Sequence, residues 1–405
     1  MKFKFNQLKI IRLLPLIAIG LGSTSLQAET DWGLVNRFYD INQVIKIDIE
    51  LPEWDLLRNA KPKGGVCTSY LLGPRYDWYV APSITINNVA FKPAAIKKRN
   101  WCGSVWDIKP GLGIDLDKID PNNKALADST LGVTKIILNN SKQDPTLVRQ
   151  CLAYHILAKA GVKGPMCNFA KVTVNGMDQG VYINIQHYNE PSLDNSFGTN
   201  YTNMYELAWS WFSDKDLPKL QYGRDYFQGA DDSSEIESLI ADFEASRGKL
   251  TNQLLNRIDL SEIIRFWALE IILNHWDGLA NNNNNSFVLF DQQGKVHFLP
   301  WGTDSVLQES KSKINNNFEK NSFMAALATD INIRTRVNQE VANTMATVWN
   351  ADELTNYIKT MVDKIRPLLK NGTDLGNFDK QVDILKSIVI SRPKDLKNFT
   401  LVKPN

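Results

Sequence analysis

An excess of charge of either sign is missing from this 405-residue chain: 46 Lys and Arg face 44 Asp and Glu. That balance excludes the basic footprint of a nucleic-acid-binding protein, so no nucleic acid is expected among its partners. Long apolar runs are missing as well. The first 28 residues hold the one candidate, with Lys2, Lys4, Lys9 and Arg12 ahead of an apolar stretch from Leu13 to Leu21 and a cleavable-looking Leu26-Gln27-Ala28. The stretch is too short to span a bilayer and reads as a secretory signal. Its removal takes the basic count from 46 to 42 against 44 acidic residues, a net −2. The mature protein is expected to be exported, periplasmic or extracellular, with no stable membrane insertion after cleavage.

Cysteine is sparse, with Cys67, Cys102, Cys151 and Cys167 all beyond the signal. An even count in an exported protein predicts disulfides, and four cysteines allow three pairings. Cys67–Cys102 with Cys151–Cys167 is favoured because short loops between neighbouring elements close most readily. Zinc is disfavoured: there is no C-x-x-C pair, and His155 is the one histidine near a cysteine in sequence. Several catalytic signatures are absent too. Without G-x-G-x-x-G or Walker A, ordinary kinases and P-loop enzymes are disfavoured; without G-x-S-x-G or H-E-x-x-H, so are the matching hydrolases. No internal repeat occurs, and the single low-complexity run is Asn281 to Asn285.

What is present is enough apolar sequence, 43%, to bury a large core. The part before about residue 190 reads as strands with one good helix. Val44 to Ile49, Ile84-Thr85-Ile86 and Ile136-Ile137-Leu138 are predicted strands, and Ala170–Val174 with Val181–Ile185 form a hairpin around Asn175-Gly176. Asp144-Pro145 predicts a helix start and Gly161 its stop. After about Tyr205 the pattern turns helical. Ser234-Glu235-Ile236-Glu237 looks like a capping box, Asp259 to His275 is a strongly apolar helix, and 333–348, 351–370 and 377–391 are also helical. The expected organisation is a signal at 1–28, a β-rich lobe at 29–190 and a helical lobe at 191–405, an α+β fold.

The stretch from Asn274 to Asp304 carries the chemistry. It reads as a helix end, an acidic and asparagine-rich loop, a hairpin of Phe287–Phe290 with Val296–Leu299, and a second acid. A hairpin flanked in this way converges carboxylates and amides on one spot. Asp277 alone fits a helix-ending turn, and the asparagines alone fit a polar turn, because both residue types favour such backbone. Together with Asp304 they make a candidate set: Asp277 as general base or orienting group, Asn282 or Asn285 with Asp304 as Mg²⁺ ligands. Arg99 and Lys109 are candidates for phosphate contact. His155 and His297 sit within periodic elements and read as structural.

The layout resembles that of protein kinases, in which H-R-D-x-x-x-x-N and D-F-G supply base and metal ligands. Here His275-Trp276-Asp277 is followed by Asn282 at the same offset. More closely, RNWCGSVWDIKP, LNNSKQDPTLVRQCLAYHILAKAGV, VTVNGMDQGVYINIQ, HWDGLANNNNNSFVLF and FLPWGTD, in that order, resemble the bacterial spore coat protein H (CotH) family of atypical secreted protein kinases. The resemblance runs from about Ile96 to Leu307. It implies a bilobal kinase-like fold, with ATP and Mg²⁺ (or Mn²⁺) used to phosphorylate Ser or Thr of a secreted or envelope protein. It further implies the catalytic-loop role for Asp277, the metal roles for Asp304 and Asn282 or Asn285, and the phosphate role for Lys109. Two positions depart from the family pattern: Gly302 replaces the first acid of Pro-Trp-Asp-x-Asp, and Gln186 replaces an acid after the Gly-x-Tyr strand. They motivate the alternative, a non-catalytic pseudokinase that binds a partner through aromatics such as Trp209, Trp211 and Phe212. A metal-dependent phosphohydrolase is a third option.

Overall fold

Asn175 and Gly176, both at positive φ, turn the chain back on itself and join two long strands, β8 (Cys167–Val174) and β9 (Met177–Ile185). Seven further strands complete their sheet: β1 (Val44–Glu50), β2 (Trp78–Ala81), β3 (Ser83–Ile86), β4 (Val89–Phe91), β5 (Ala94–Lys98), β6 (Leu112–Asp115) and β7 (Lys135–Asn139). The strand order is β2-β5-β6-β7-β9-β8-β1-β3-β4. All neighbours are antiparallel except β1 and β8, which run parallel. In this computed structural model the described residues are 30–67, 75–207, 224–226, 233–246, 249–308 and 322–402. The signal expected at 1–28 and the aromatics Trp209, Trp211 and Phe212 lie outside them.

Strand alternation gives the sheet two buried faces. Ile96, Leu112, Ile114, Ile136 and Leu138 build one core. Ile137, Ile183 and Ile185 point the other way, into a second core shared with the helices that follow. A smaller sheet, β11-β10-β12-β13, comprises β10 (Tyr201–Leu207), β11 (Arg224–Tyr226), β12 (Ser286–Asp291) and β13 (Val296–Pro300). Helices Ser322–Thr329, Ile331–Thr347, Ala351–Ile365 and Leu375–Leu396 close the chain. Strands concentrate early and helices late, so the fold is α+β. Both expected disulfides form, Cys67–Cys102 and Cys151–Cys167.

Three helices position the site and are labelled α1 (Arg149–Lys159), α2 (Leu260–Leu273) and α3 (Leu279–Asn282). The start expected at Asp144-Pro145 is displaced. Leu147 takes φ 60°, which a helix cannot absorb, so α1 begins at Arg149. The Asp144 carboxylate instead caps the preceding turn, accepting the N–H groups of Thr146 (2.9 Å) and Arg149 (2.8 Å). It also pairs with the buried Arg149 guanidinium, which reaches on to the Leu307 carbonyl at 3.5 Å. Breaking one member of such a pair typically costs about 3–5 kcal/mol, because the other charge stays buried. The pair thereby fastens α1 to the turn that carries Asp304. Similarly, the helix expected to be capped by Ser234 spans Ser234–Ala245, with Ser233 at the cap position.

Candidate active site

Helix α2 is apolar almost all round and ends at Asn274, which adopts the left-handed conformation (φ 49°). Asn283 (φ 49°) and Asn285 (φ 47°) do the same, where most side chains would be strained. The asparagine run is therefore a backbone device. It is also a ring of donors. Asp277 Oδ1 accepts Asn282 Nδ2 at 2.6 Å and Asn284 Nδ2 at 3.1 Å, while Oδ2 accepts Asn285 Nδ2 at 2.9 Å. Three amides thus orient one carboxylate through their nitrogens, which leaves their own carbonyl oxygens as acceptors.

Asp277, Asn284, Asn285 and Asp304 line one pocket. The large sheet and the loop after β5 also line it, through Arg99, Gly103, Ser104, Asn139 and Ile185, together with Lys142 and Gln143. The Cys67–Cys102 disulfide pins that loop. Gly103 packs against Gln143: a Cβ there would stand 2.2 Å from Gln143 Nε2 and displace the end of that side chain. Gln143 Oε1 in turn accepts the Ser305 hydroxyl (2.7 Å), next to Asp304.

Asp304 is held through a polar chain that spacing did not reveal. Asn139 Nδ2 donates to Asp304 (3.3 Å) and to Gln150 Oε1 (2.8 Å), and Gln150 Nε2 donates to the Tyr154 hydroxyl. Burial, then the negative charges of Asp144 and Asp277, push the Asp304 carboxyl up to about 6, against the Asn139 hydrogen bond. A carboxylate poorly compensated by the protein suits a cation. Among the described residues no three His, Cys, Asp or Glu stand together, so at most two carboxylates and asparagine carbonyls are on offer. Mg²⁺ is commonly held by one or two carboxylates with phosphate and water oxygens, so the donor set fits it.

The shift carries a stability consequence. The folded pKa lies above the unfolded one, so the folded state binds the extra proton and loses stability as pH rises from about 4 to about 6. In chelator, Asp304→Asn should raise stability at pH 8 by on the order of 1–2 kcal/mol, the pocket's solvent having been allowed for. The gain should shrink as pH falls toward 4. Paired thermal melts at the two pH values check this, and a gain independent of pH would contradict it.

Lys109 and Asn282 do not line the pocket. The Lys109 ammonium donates to the Val181 carbonyl and sits 4.2 Å from the Tyr182 ring, and burial lowers its pKa to about 8. Arg99 does line it, its side chain lying across Gly113. Gln186 accepts the Met166 N–H (3.1 Å), a link between chain segments. His155 stacks on Tyr357 at 4.0 Å and His297 faces Glu262 at 2.7 Å, both structural roles.

Gly302 has a steric reason. Its φ is 51°, and a Cβ would fall 2.2 Å from Asn285 Oδ1. Gly302→Asp, which restores the family carboxylate, should cost about 1–3 kcal/mol and bring no gain in Mn²⁺ affinity. Melting curves with a Mn²⁺ titration test this; tighter Mn²⁺ binding would refute it.

The CotH kinase protein family model matches residues 109–396. Inner spore coat protein H of Bacillus subtilis (strain 168) is 20% identical over 288 residues, covering 66% of this chain and 78% of that protein. The inner spore coat protein H-like protein of the same strain is 36% identical over 70 residues, 17% of this chain and 22% of its own length. Among solved structures, the Helicobacter pylori proinflammatory kinase CtkA aligns at 10% identity and a TM-score of 0.31, over 64% of this chain and 87% of that one. A Shewanella oneidensis MR-1 HipA–HipB toxin–antitoxin complex with operator DNA aligns at 11% identity and a TM-score of 0.31, over 65% and 58%.

Proposed function

Because the chain belongs to the CotH kinase protein family, we propose that it is an exported atypical kinase, using Mg²⁺ or Mn²⁺ to move the γ-phosphoryl group of ATP to Ser or Thr of a secreted or envelope protein. The observation that carries the reading is the convergence of Asp277, Asn285, Asp304 and Arg99 on one pocket. Asp304 and the Asn285 carbonyl would hold the metal, which when bound neutralises phosphate charge. Arg99 would meet the phosphates with a planar, permanently charged donor fork. In this reading Lys109, committed to Val181, braces the sheet behind the pocket.

Asp277 takes the proton of the acceptor hydroxyl, or orients that hydroxyl, as phosphoryl transfer proceeds. Its three asparagine donors fix the carboxylate in one pose, so little reorganisation is left for the reacting complex. Two disulfides support export, and among the described residues no helix is long and apolar enough to cross a membrane.

Gly302 favours a second reading, a pseudokinase that binds nucleotide or partner without transfer. Labelled ATP supplied with candidate exported proteins separates the two: label transferred by wild type supports the kinase, while bound nucleotide with no transfer supports the pseudokinase. Release of free phosphate without a protein acceptor would instead indicate the phosphohydrolase.

A further inference from the structure

Helix α2 carries one charge where none is expected. Glu270 is 3% exposed and stands among Trp267, Ala268, Leu269 and Ile271, all buried. A carboxylate in such surroundings persists only when strongly compensated. Here the compensation comes from the loop that carries Asp277. Glu270 Oε1 accepts the Leu279 N–H and Oε2 the Ala280 N–H, each at 2.7 Å, and His275 Nδ1 lies 3.5 Å from Oε1. His275 and Leu279 stand two residues either side of Asp277. The loop also closes on itself, with the His275 carbonyl accepting the Gly278 N–H (3.2 Å) and the Asn281 amide (3.1 Å).

Gly278 shows how tight the contact is. A Cβ at that position would fall 2.1 Å from Glu270 Oε1 and 2.6 Å from His275 Nδ1. The loop is thus moulded around a carboxylate, and a side chain at 278 would have to push Glu270 and His275 aside.

We propose that Glu270 is the positioning residue of the active site: it sets where Asp277 stands by gripping the loop on both sides of it. The inference rests on the reading of Asp277 as the group that meets the acceptor hydroxyl. Glu270 itself is buried and does not line the pocket. Its effect should therefore appear in turnover and not in nucleotide affinity.

The test is steady-state phosphoryl transfer by the purified protein with ATP and Mn²⁺. Glu270→Gln keeps the shape but offers one acceptor and one donor where two acceptors are needed. Its kcat should fall about 100-fold, the cost of a misplacement near 1 Å, while KM for ATP stays within about threefold. Should that variant fail to fold, Gly278→Ala displaces the same contact from the other side and should give the same split. The proposal is overturned if both variants turn over like wild type, or if kcat, KM and melting temperature all deteriorate together as for a purely structural residue. A wild type that transfers phosphate while the variants match it defeats the Glu270 inference alone. A wild type that transfers none defeats the kinase reading, and the positioning role with it.

Discussion

Asp277→Asn should leave ATP and Mn²⁺ binding within about threefold of wild type and slow phosphoryl transfer by about 10³-fold. The substitution keeps the size of the side chain but removes its charge and one acceptor oxygen. Asn282 and Asn284 share Oδ1, while Asn285 loses its side-chain acceptor Oδ2 and keeps the Asp277 backbone carbonyl at 3.0 Å. The Glu270 contacts with Leu279 and Ala280 are untouched, so the loop stays in place and the loss reports on chemistry. Initial rates with labelled ATP, beside calorimetric affinities, separate the two effects. Transfer within a few fold of wild type would remove Asp277 from the mechanism.

Asp304→Ala should abolish metal-dependent nucleotide binding, a loss of at least about 100-fold in affinity. Asp304 and Asp277 are the two carboxylates lining the pocket, and Asp277 is already engaged by three amide donors. Asp304 has the Asn139 amide at 3.3 Å, and burial holds its carboxyl up at about 6, the state a bound cation would relieve. Apo stability should not fall with affinity, since the side chain removed is one the pocket tolerates poorly. A titration with ATP and Mn²⁺, alongside a melting curve, checks both halves. Unchanged affinity would place the metal elsewhere.

Much of this site was legible because its signals are local. Asn175-Gly176 and the Asp291–Gly294 turn announce two hairpins, and the apolar run into Asn274 leads directly to Asp277. The disulfide pairing followed from loop length. What stayed hidden depends on contacts distant in sequence. β1 pairs in parallel with β8 more than 120 residues away, in register Ile47 with Val172, and no local pattern encodes that choice. β4 and β11 have only 3 residues each, too few for alternation to show. Asn139, Gln143 and Gln150 look like ordinary polar residues until the fold brings them to Asp304 and its turn. Glu270 was masked by the apolar helix around it. The asparagine run divided two readings that the structure unites, since its members both turn the backbone and hold Asp277. Gly302 read as a lost carboxylate; its positive φ and the crowding by Asn285 make glycine the residue that fits there.

Calorimetric titration of the wild-type protein with ATP, run with Mn²⁺ and again with chelator, tests the central claim most directly. The account predicts saturable binding with Mn²⁺ that disappears in chelator. No binding under either condition, or binding that ignores the metal, would contradict it.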